Sequence, residues 1–332
     1  MNETSSKFLD KLAMEKLIND KLGKVRNSSD NSYFTNIEIA FDDIDEFTLL
    51  KADINFVNIQ NDVTHYQIPS FCQQAFYIQN NHIDIYAHLS PNPQCNILFI
   101  HGLFDDNMGN YNFIIKQLNT LNLNVFFMVL PYHFNRKPDE SSFGGEYFFS
   151  ADLYRTKNAF KQAALDVEAA VQFIGHHNSM PTKLLGYSIG GCVAFQYYLL
   201  KRSKIKTFLV NPVVELKTLA WEKPLLQTVG RDLIESNLKE ATINQVFFDM
   251  DPCEKIGFDF KIDNLAMVYS TYDQVVKKSK YDAFIKKTGI KNAIEYPSGH
   301  LNVFRVPRLA NDIHGFLSDD FSIDASEELI IF

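Results

Sequence analysis

The sequence of 332 residues lacks most of the features that mark disulfide frameworks, metal sites and membrane spans. Its four cysteines are scattered, with no C-x-x-C or Cys/His pairing, so neither a disulfide framework nor a zinc site is expected. The chain contains no H-E-x-x-H, P-loop or G-x-G-x-x-G motif, and we expect no metal and no cofactor. No apolar run reaches about 18 residues, and no apolar signal-peptide core follows Met1. A cytoplasmic protein without a transmembrane segment is therefore expected.

The charge balance argues against a nucleic-acid partner. The chain has 32 Lys and Arg residues against 40 Asp and Glu, a net charge of −8, whereas a nucleic-acid footprint needs a basic face. The same acidic excess weakens attraction to anionic membranes. Hydrophobic residues make up 46% of the chain, which is enough for a large core. We expect most of the 29 phenylalanines in that core, and some around a substrate pocket or lid.

What the chain does contain is a serine motif. A short apolar strand, 183–187, runs into Gly186-Tyr-Ser-Ile-Gly190, which has the G-x-S-x-G pattern. In this pattern the serine lies on a strained turn between a strand and a helix, where flanking side chains would clash and glycine does not. The helix N-terminus points N–H groups and a positive dipole toward the hydroxyl. The pattern alone is a moderate signal, and its flanking strand and helix strengthen it.

An acid and a base follow predicted strands further along the chain. Asp273 lies at the C-terminal end of the strand that starts near Ala266, and His300 follows the last strand. The order Ser188, Asp273, His300 resembles the α/β-hydrolase superfamily and differs from the chymotrypsin and subtilisin orders. The resemblance covers roughly residues 75–320. Three other carboxyls, Asp251, Asp263 and Glu215, compete with Asp273, and some family members place their acid where Glu215 stands.

The resemblance also implies an oxyanion hole and substrate contacts. The residue after the nucleophile, Ile189, matches one oxyanion-hole amide. Leu103, after the His101-Gly102 pair, matches the other, with Phe104 as a near alternative. We include His101, Phe104 and Tyr187 among the candidates for substrate binding, although His101 is better explained as a structural histidine before the oxyanion turn.

A narrower resemblance rests on Leu130-Pro-Tyr-His-Phe-Asn-Arg-Lys-Pro138, followed by Gly144-Gly-Glu146. It looks like a hydrolase group that carries a Pro-Tyr-His or Pro-Tyr-Tyr, Arg, Pro signature before the nucleophile unit. Some relatives in that group are placed with lipid deacylases. Within the segment, Tyr132, His133 and Arg136 are candidates for substrate binding. Arginine's planar fork suits a carboxylate or phosphate, but His133 and Arg136 could equally anchor the loop by hydrogen bonds.

These residues predict a reaction class. A serine hydroxyl is a poor nucleophile at neutral pH and needs an adjacent base, which His300 would supply and Asp273 would orient. We expect a serine hydrolase that cleaves a small-molecule ester or thioester through an acyl-enzyme, on a lipid-like or other apolar acyl group. An acyltransferase with the same triad and a non-catalytic scaffold on the same fold are the alternatives.

Strand and helix patterns alternate from residue 75 onward and predict the fold class. We expect an α/β-hydrolase fold, in which a mostly parallel sheet carries helices on both faces and substrate binds beyond the strands' carboxyl ends. Predicted strands lie at 83–89, 96–101, 124–130, 183–187, 206–210, 265–270 and 292–296. Predicted helices lie at 110–120, 157–176, 190–202, 275–287 and 303–317.

The chain divides into an N-terminal extension, 1–74, with an amphipathic helix and early strands, and a hydrolase domain, 75–332. Two long connections, 131–156 and 213–260, interrupt the alternation, and one or both are expected to form a cap over Ser188 or an extra packed layer. In the extension, one helical stripe is apolar and the opposite face is charged. The apolar stripe comprises Phe8, Leu9, Leu12, Leu17, Ile18 and Leu22, and the charged face comprises Asp10, Lys11, Glu15 and Lys16. Such a helix suits packing on the core, a homodimer contact, or a membrane-surface or partner contact.

Overall fold

The computed structural model describes residues 3–20, 41–74, 77–201, 204–221, 226–236, 238–256 and 262–318. Within these residues, nine strands form one sheet. The strands are β1 Asn55–Gln60, β2 Val63–Pro69, β3 His82–His88, β4 Cys95–Ile100, β5 Leu123–Met128, β6 Thr182–Tyr187, β7 Thr207–Val210, β8 Leu265–Ser270 and β9 Asn292–Tyr296. Their order across the sheet is β1-β2-β3-β5-β4-β6-β7-β8-β9. The first three strands pair antiparallel, and β4 to β9 are parallel.

Helices cover both faces of this sheet. The described α-helices are α1 Glu3–Asp20, α2 Asn112–Thr120, α3 Leu153–His177, α4 Ile189–Leu200, α5 Leu216–Trp221, α6 Gln227–Glu235, α7 Glu240–Met250, α8 Lys278–Thr288 and α9 Leu309–Leu317. Alternate residues of β4 face opposite cores, as the two-residue period of a strand requires. Leu98 and Ile100 pack in the core that contains α3 and α4, whereas Ile97 and Phe99 pack in the core that contains α2 and α9.

The predicted strands are confirmed, with bounds that differ by about two residues at most. Three helices start three or more residues from the predicted position: α3, α9, and α8, which begins at Lys278 instead of residue 275. Helix α3 begins before residue 157 because the Asp152 side chain accepts a 3.0 Å hydrogen bond from the Arg155 amide and caps the helix. Helix α9 begins only at Leu309, because the chain first makes a 3₁₀ turn, Val303–Arg305, and then reaches Pro307, which cannot donate a helical hydrogen bond.

The segment assigned to an N-terminal extension contributes two strands to the sheet. Strands β1 and β2 lie before residue 74, and β2 pairs with β3 from Val63–His88 to Pro69–His82. The division of the chain at residue 74 stays a prediction, but these two strands continue the hydrogen-bonded ladder of the hydrolase sheet.

The second long connection, 213–260, contains α5, α6 and α7. Helices α5 and α7 are joined by a 2.9 Å hydrogen bond from the Trp221 indole to the Asn244 amide oxygen. Helix α7 packs on α3, and Phe247 on α7 stacks with Phe149 of the first connection at 5.8 Å between ring centroids. The two connections therefore pack against each other above α3.

Helix α1 forms where the sequence predicts a helix, but the packed face differs from the predicted stripe. The residues buried on it are Ser6, Asp10 and Met14, one turn apart, while Phe8 is 61% and Leu12 is 51% exposed. The assignment of Asp10 to the solvent face was therefore wrong. It is buried because its carboxylate has main-chain partners outside the helix, described below. Leu9, Leu17 and Ile18 are partly buried, and Leu22 lies outside the described residues.

Candidate active site

Ser188 occupies a strained turn between β6 and α4. Its φ and ψ are 54° and −120°, a backbone conformation that non-glycine residues rarely adopt and that costs on the order of 1–3 kcal/mol. Its neighbours allow this close packing: a Cβ at Gly190 would lie 2.3 Å from the carbonyl oxygens of Ile100 and His101. The turn leaves the Ser188 side chain at the carboxyl end of the sheet with 8% of the residue exposed.

Ser188, His300 and Asp273 form one hydrogen-bonded chain. Oγ of Ser188 lies 2.9 Å from Nε2 of His300, and Nδ1 of His300 lies 2.7 Å from Oδ2 of Asp273. Ser188 follows β6, Asp273 follows β8 and His300 follows β9, so the three residues meet where parallel strands end at one edge of the sheet. All three side chains are buried.

Asp273 is held in place by three further donors. Its Oδ1 accepts 2.7 Å hydrogen bonds from the amides of Val275 and Val276, and its Oδ2 accepts a 2.8 Å bond from the Tyr281 hydroxyl on α8. These bonds satisfy a buried carboxylate that would otherwise be costly to desolvate.

The three competing carboxyls lie elsewhere. Asp251 accepts from the amides of Cys253 and Leu216, and Glu215 pairs with Lys280 at 2.7 Å. Asp263 presents its carbonyl oxygen to the Tyr198 hydroxyl. Asp273 is the one of the four that is hydrogen-bonded to His300.

The electrostatic surroundings favour a charged His300. Burial alone lowers the pKa of its imidazole, but the charge of Asp273, their hydrogen bond and the charge of Asp10 outweigh burial and raise this pKa above 6.5. The imidazolium that forms when His300 takes a proton is therefore stabilised in place.

A cavity of about 780 Å³ opens over Ser188 and His300. Helix α1 forms one wall with Ala13, Met14 and Leu17, and the loop after β4 forms another. Apolar and aromatic side chains contribute much of the remaining lining: Leu103, Phe104, Tyr111, Phe113, Tyr187, Val275, Leu301 and Phe304. Asp105, Asp106 and Arg305 also lie along it. Its described lining includes no residue of the connections 131–156 and 213–260; α1 lies where a cap was expected from them.

Solved structures with the same arrangement of strands and helices identify the architecture. The chain is similar to acetyl xylan esterase 1 from a Thermoanaerobacterium species, with a TM-score of 0.59, 17% identity and coverage of 85% of this chain and 91% of that one. The chain has the α/β-hydrolase fold. It is also similar to an esterase from Pyrococcus furiosus, with a TM-score of 0.53, 14% identity and coverage of 80% and 97%.

Neither a protein-family model nor a curated protein matches the sequence. Identities below about a fifth support the hydrolase fold alone, because one fold hosts many chemistries, so activity has to be argued from the site. Over the part of the chain that the structure describes, we find no helix long and apolar enough to cross a membrane.

In this hydrolase fold, the loop after β4 is braced by three hydrogen bonds. The Tyr111 hydroxyl accepts a 2.9 Å hydrogen bond from the Gly102 amide and donates to the Asp105 carboxylate. The Asp106 carboxylate accepts a 2.5 Å bond from the Gly144 amide of the first long connection. The braced loop carries Leu103 and Phe104 into the cavity wall beside Ser188.

The two amides that the sequence predicts for the oxyanion hole have no acceptor among the described residues. They are those of Leu103, in the braced loop, and Ile189, at the N-terminus of α4. Phe104 has a φ of 67° and continues the turn after Leu103. The N-terminus of α4 adds its dipole at the Ser188 end of the cavity.

Four of the predicted substrate contacts are buried in the fold instead of lying along the cavity. His101 is fully buried, with Nδ1 2.7 Å from the Gly102 carbonyl and Nε2 accepting a 3.1 Å bond from the Leu130 amide. The Tyr132 hydroxyl donates to Gln74 at 3.1 Å, and Nδ1 of His133 lies 2.8 Å from the Pro131 carbonyl. None of these residues, nor Arg136, is part of the described cavity lining, whereas Phe104 and Tyr187 are.

Arg136 serves as an anchor for its loop. Its guanidinium is fully buried, pairs with Asp166 on α3 at 2.7 Å, and donates to the carbonyls of Val129 at 2.8 Å and Asn80 at 3.0 Å. Of the two explanations that the sequence leaves open for Arg136, this geometry favours anchoring.

Sequence reasoning missed two residues near the chain of three. Tyr281 lies on an ordinary-looking helix, and its spacing from Asp273 carries no motif. Asp10 lies 290 positions before His300, and its place among Lys11, Glu15 and Lys16 suggested a solvated face. The one available signal was its position beside Leu9 on a helix that the sequence predicts to be amphipathic, which is weak evidence for burial.

Proposed function

We propose that the protein is a serine hydrolase that cleaves carboxylic esters or thioesters through an acyl-enzyme intermediate. The observation that carries the proposal is the hydrogen-bonded chain from Ser188 through His300 to Asp273, with 2.9 Å and 2.7 Å separations, on a strained turn at the floor of a cavity. Nucleophile, base and orienting acid within hydrogen-bond reach are the geometric signature of an activated serine. The esterase structures with the same fold are consistent with this reaction.

The first half of the reaction forms the acyl-enzyme. Oγ of Ser188 attacks the carbonyl carbon while its proton moves to Nε2 of His300. The tetrahedral intermediate collapses, the bond from carbon to the leaving oxygen or sulfur breaks, and His300 returns its proton to the leaving group. Asp273 accepts the Nδ1–H of His300, which keeps Nε2 free to receive the serine proton and stabilises the imidazolium.

The second half releases the acid. A water molecule gives its proton to Nε2 of His300 as its oxygen attacks the acyl carbon. Collapse of the second intermediate breaks the bond to Oγ, and the proton returns to Ser188. No cofactor is needed, since every proton is accounted for by His300, the leaving group and water.

The oxyanion of each intermediate would be bound by the amides of Leu103 and Ile189. Both are without an acceptor among the described residues, and they lie on the two segments that flank Ser188. Donors held in place before the reaction stabilise the developing charge without reorganisation, and the loss of one such donor commonly costs about 2.7–4 kcal/mol of barrier. Phe104, the alternative to Leu103, follows it in the same turn.

The cavity favours an apolar acyl group. Its volume of about 780 Å³ is within the range of small-molecule sites, and three residues of α1 give it an aliphatic wall. Aromatic rings of Phe104, Phe113 and Phe304 form much of the remaining surface. We therefore propose medium-length acyl esters as substrates, with α1 acting as the cap that the sequence placed in the long connections.

Covalent labelling tests the proposal directly. A fluorophosphonate probe should label the native protein and fail to label Ser188→Ala and His300→Ala, and both variants should lose hydrolysis of p-nitrophenyl butyrate. Ser279→Ala, which removes an exposed serine on α8, is the matched control and should label normally. Folded native protein that is never labelled would sink the proposal and favour the scaffold alternative.

A further inference from the structure

The Asp10 carboxylate accepts hydrogen bonds from two successive main-chain amides, those of His300 and Leu301. Its Oδ2 accepts a 2.5 Å hydrogen bond from the His300 amide, and its Oδ1 accepts a 2.9 Å bond from the Leu301 amide. This is a bidentate contact between α1 and the loop after β9, across 290 positions of sequence. Because Asp10 is fully buried, water does not weaken the contact.

The loop and the helix are fitted to each other at this point. A Cβ on Gly299 would lie 2.3 Å from the Asp10 carboxylate, so a residue without a side chain precedes His300. Asn302 also links the loop to α1: its Oδ1 accepts a 2.8 Å bond from the Gly299 amide, and its Nδ2 donates to the Ser6 carbonyl at 3.4 Å.

The remaining main-chain group of His300 is also held. Its carbonyl oxygen accepts hydrogen bonds from the Tyr187 hydroxyl at 3.2 Å and from Asn211 at 3.1 Å. Among the described residues, the Asp10 contact therefore supplies the one main-chain restraint of His300 that comes from outside the sheet and its loops.

We propose that Asp10 is a positioning residue that makes α1 part of the active site, by fixing the His300 backbone and placing a negative charge behind the imidazole. The inference rests on the proposed function and adds to it a residue that does not touch substrate. The rate depends steeply on where the catalytic groups lie: misplacing one by about 1 Å can cost on the order of 10²-fold in rate.

Charged and titratable groups around His300 come from several elements. Asp273 faces Nδ1 from the loop after β8, Asp10 approaches from α1, and the Tyr187 ring lies 5.6 Å away on β6. Tyr281 reaches Asp273 from α8, and Arg305 lines the same cavity. Of these groups, the carboxylates of Asp273 and Asp10 both raise the pKa of His300, against burial, which lowers it. Burial raises the pKa of Asp10 itself, while His300 and the two amides oppose that rise.

The experiment compares Asp10→Asn with Glu15→Gln, which makes the same chemical change on the exposed side of the same helix. Asp10→Asn keeps the size of the side chain, removes its charge and turns one acceptor into a donor that opposes an amide N–H. We expect kcat to fall about 10- to 100-fold with little change in KM. The pKa of His300, followed by NMR with labelled histidine, should move down. Glu15→Gln should match the native protein in both readouts.

The proposal and the proposed function fail in different ways. If Ser188→Ala abolishes hydrolysis while Asp10→Asn keeps the native rate and the native His300 pKa, the inference is overturned and the function stands. If Ser188→Ala keeps hydrolysis, the function is overturned, and with it a catalytic role for Asp10.

A measurement on the native protein covers the case in which Asp10→Asn does not fold. Following the Asp10 carboxyl carbon by NMR, we expect a pKa above 3.8, and the amide protons of His300 and Leu301 should shift over the same pH range. If the chemical shifts of these amide protons stay constant while Asp10 titrates, the inference is overturned.

Discussion

The Tyr281 hydroxyl donates a 2.8 Å hydrogen bond to Oδ2 of Asp273, the same oxygen that lies 2.7 Å from Nδ1 of His300. One carboxylate oxygen thus serves both the base and a buried phenol. The phenol stabilises the carboxylate and so shares the negative charge that would otherwise act on His300 alone.

Tyr281→Phe should remove this donor and leave the chain of three residues in place. Because a hydrogen bond to a buried charge contributes about 1.5–3 kcal/mol, we expect the free energy of unfolding in urea to fall by that amount. The Asp273 charge would then act more strongly on His300, so the acidic limb of the pH–rate profile should move to higher pH.

The matched control is Tyr269→Phe, because the Tyr269 ring packs on Tyr281 at 5.4 Å between centroids but its hydroxyl donates to the exposed Glu295. It should change neither the stability by more than a few tenths of a kcal/mol nor the pH profile. If both substitutions change the free energy of unfolding and the pH–rate profile equally, the hydrogen bond from Tyr281 to Asp273 contributes nothing specific to either.

The pH dependence of hydrolysis should reflect the raised pKa of His300. His300 can accept the Ser188 proton only when neutral, and a raised pKa keeps it protonated to higher pH. The rate, measured as kcat/KM, should therefore fall as pH decreases through a midpoint above 6.5. A constant circular-dichroism signal over the same range would exclude unfolding as the cause, and a midpoint below 6.5 would contradict the raised pKa of His300.

Helix α1 should influence the choice of acyl chain. Met14 is buried and lines the cavity, so Met14→Ala removes part of its apolar wall. We expect kcat/KM for p-nitrophenyl octanoate, relative to the acetate, to fall about tenfold, since a methylene contact is worth about 1–3 kcal/mol in discrimination. Leu12→Ala, on the exposed side of the same helix, should leave the ratio unchanged. An unchanged ratio in Met14→Ala would show that the acyl chain does not reach α1.

Gly299→Ala should weaken the contact between α1 and the His300 loop. The added Cβ would meet the Asp10 carboxylate at 2.3 Å, and such overpacking typically costs about 1–3 kcal/mol. We expect a loss of stability of that size and a fall in kcat. In an Asp10→Ala background the same substitution should cost much less, because the obstructing carboxylate is gone.

Gly175→Ala is the control for glycine replacement as such. Nothing lies within 4 Å of a Cβ at Gly175 on α3, and alanine is the better helix former, so stability should stay level or rise by up to about 1 kcal/mol. Additive losses for Gly299→Ala and Asp10→Ala in the double variant would contradict the predicted steric coupling.

Local patterns were enough to predict the sheet and the serine turn. The apolar runs of β4 to β8 are largely buried on both faces, and such strands can be recognised from composition alone. The turn at Ser188 needs specific glycines, which leave a readable motif. Bounds were less accurate where a single residue decides them, as with the Asp152 cap and Pro307.

By itself, the sequence determined a serine at a strand-to-helix turn, an acid and a base after later strands, and a mainly parallel sheet that would bring their ends together. These features depend on neighbours in the chain or on the period of a strand. Only the tertiary structure decided that Asp273, and not Asp251 or Glu215, reaches His300, and that α1 contributes a wall of the cavity, whose described lining includes no residue of the long connections. The physical reason is that a buried carboxylate such as Asp10 is stabilised by amides 290 positions away, and no local pattern records which distant backbone a side chain will meet.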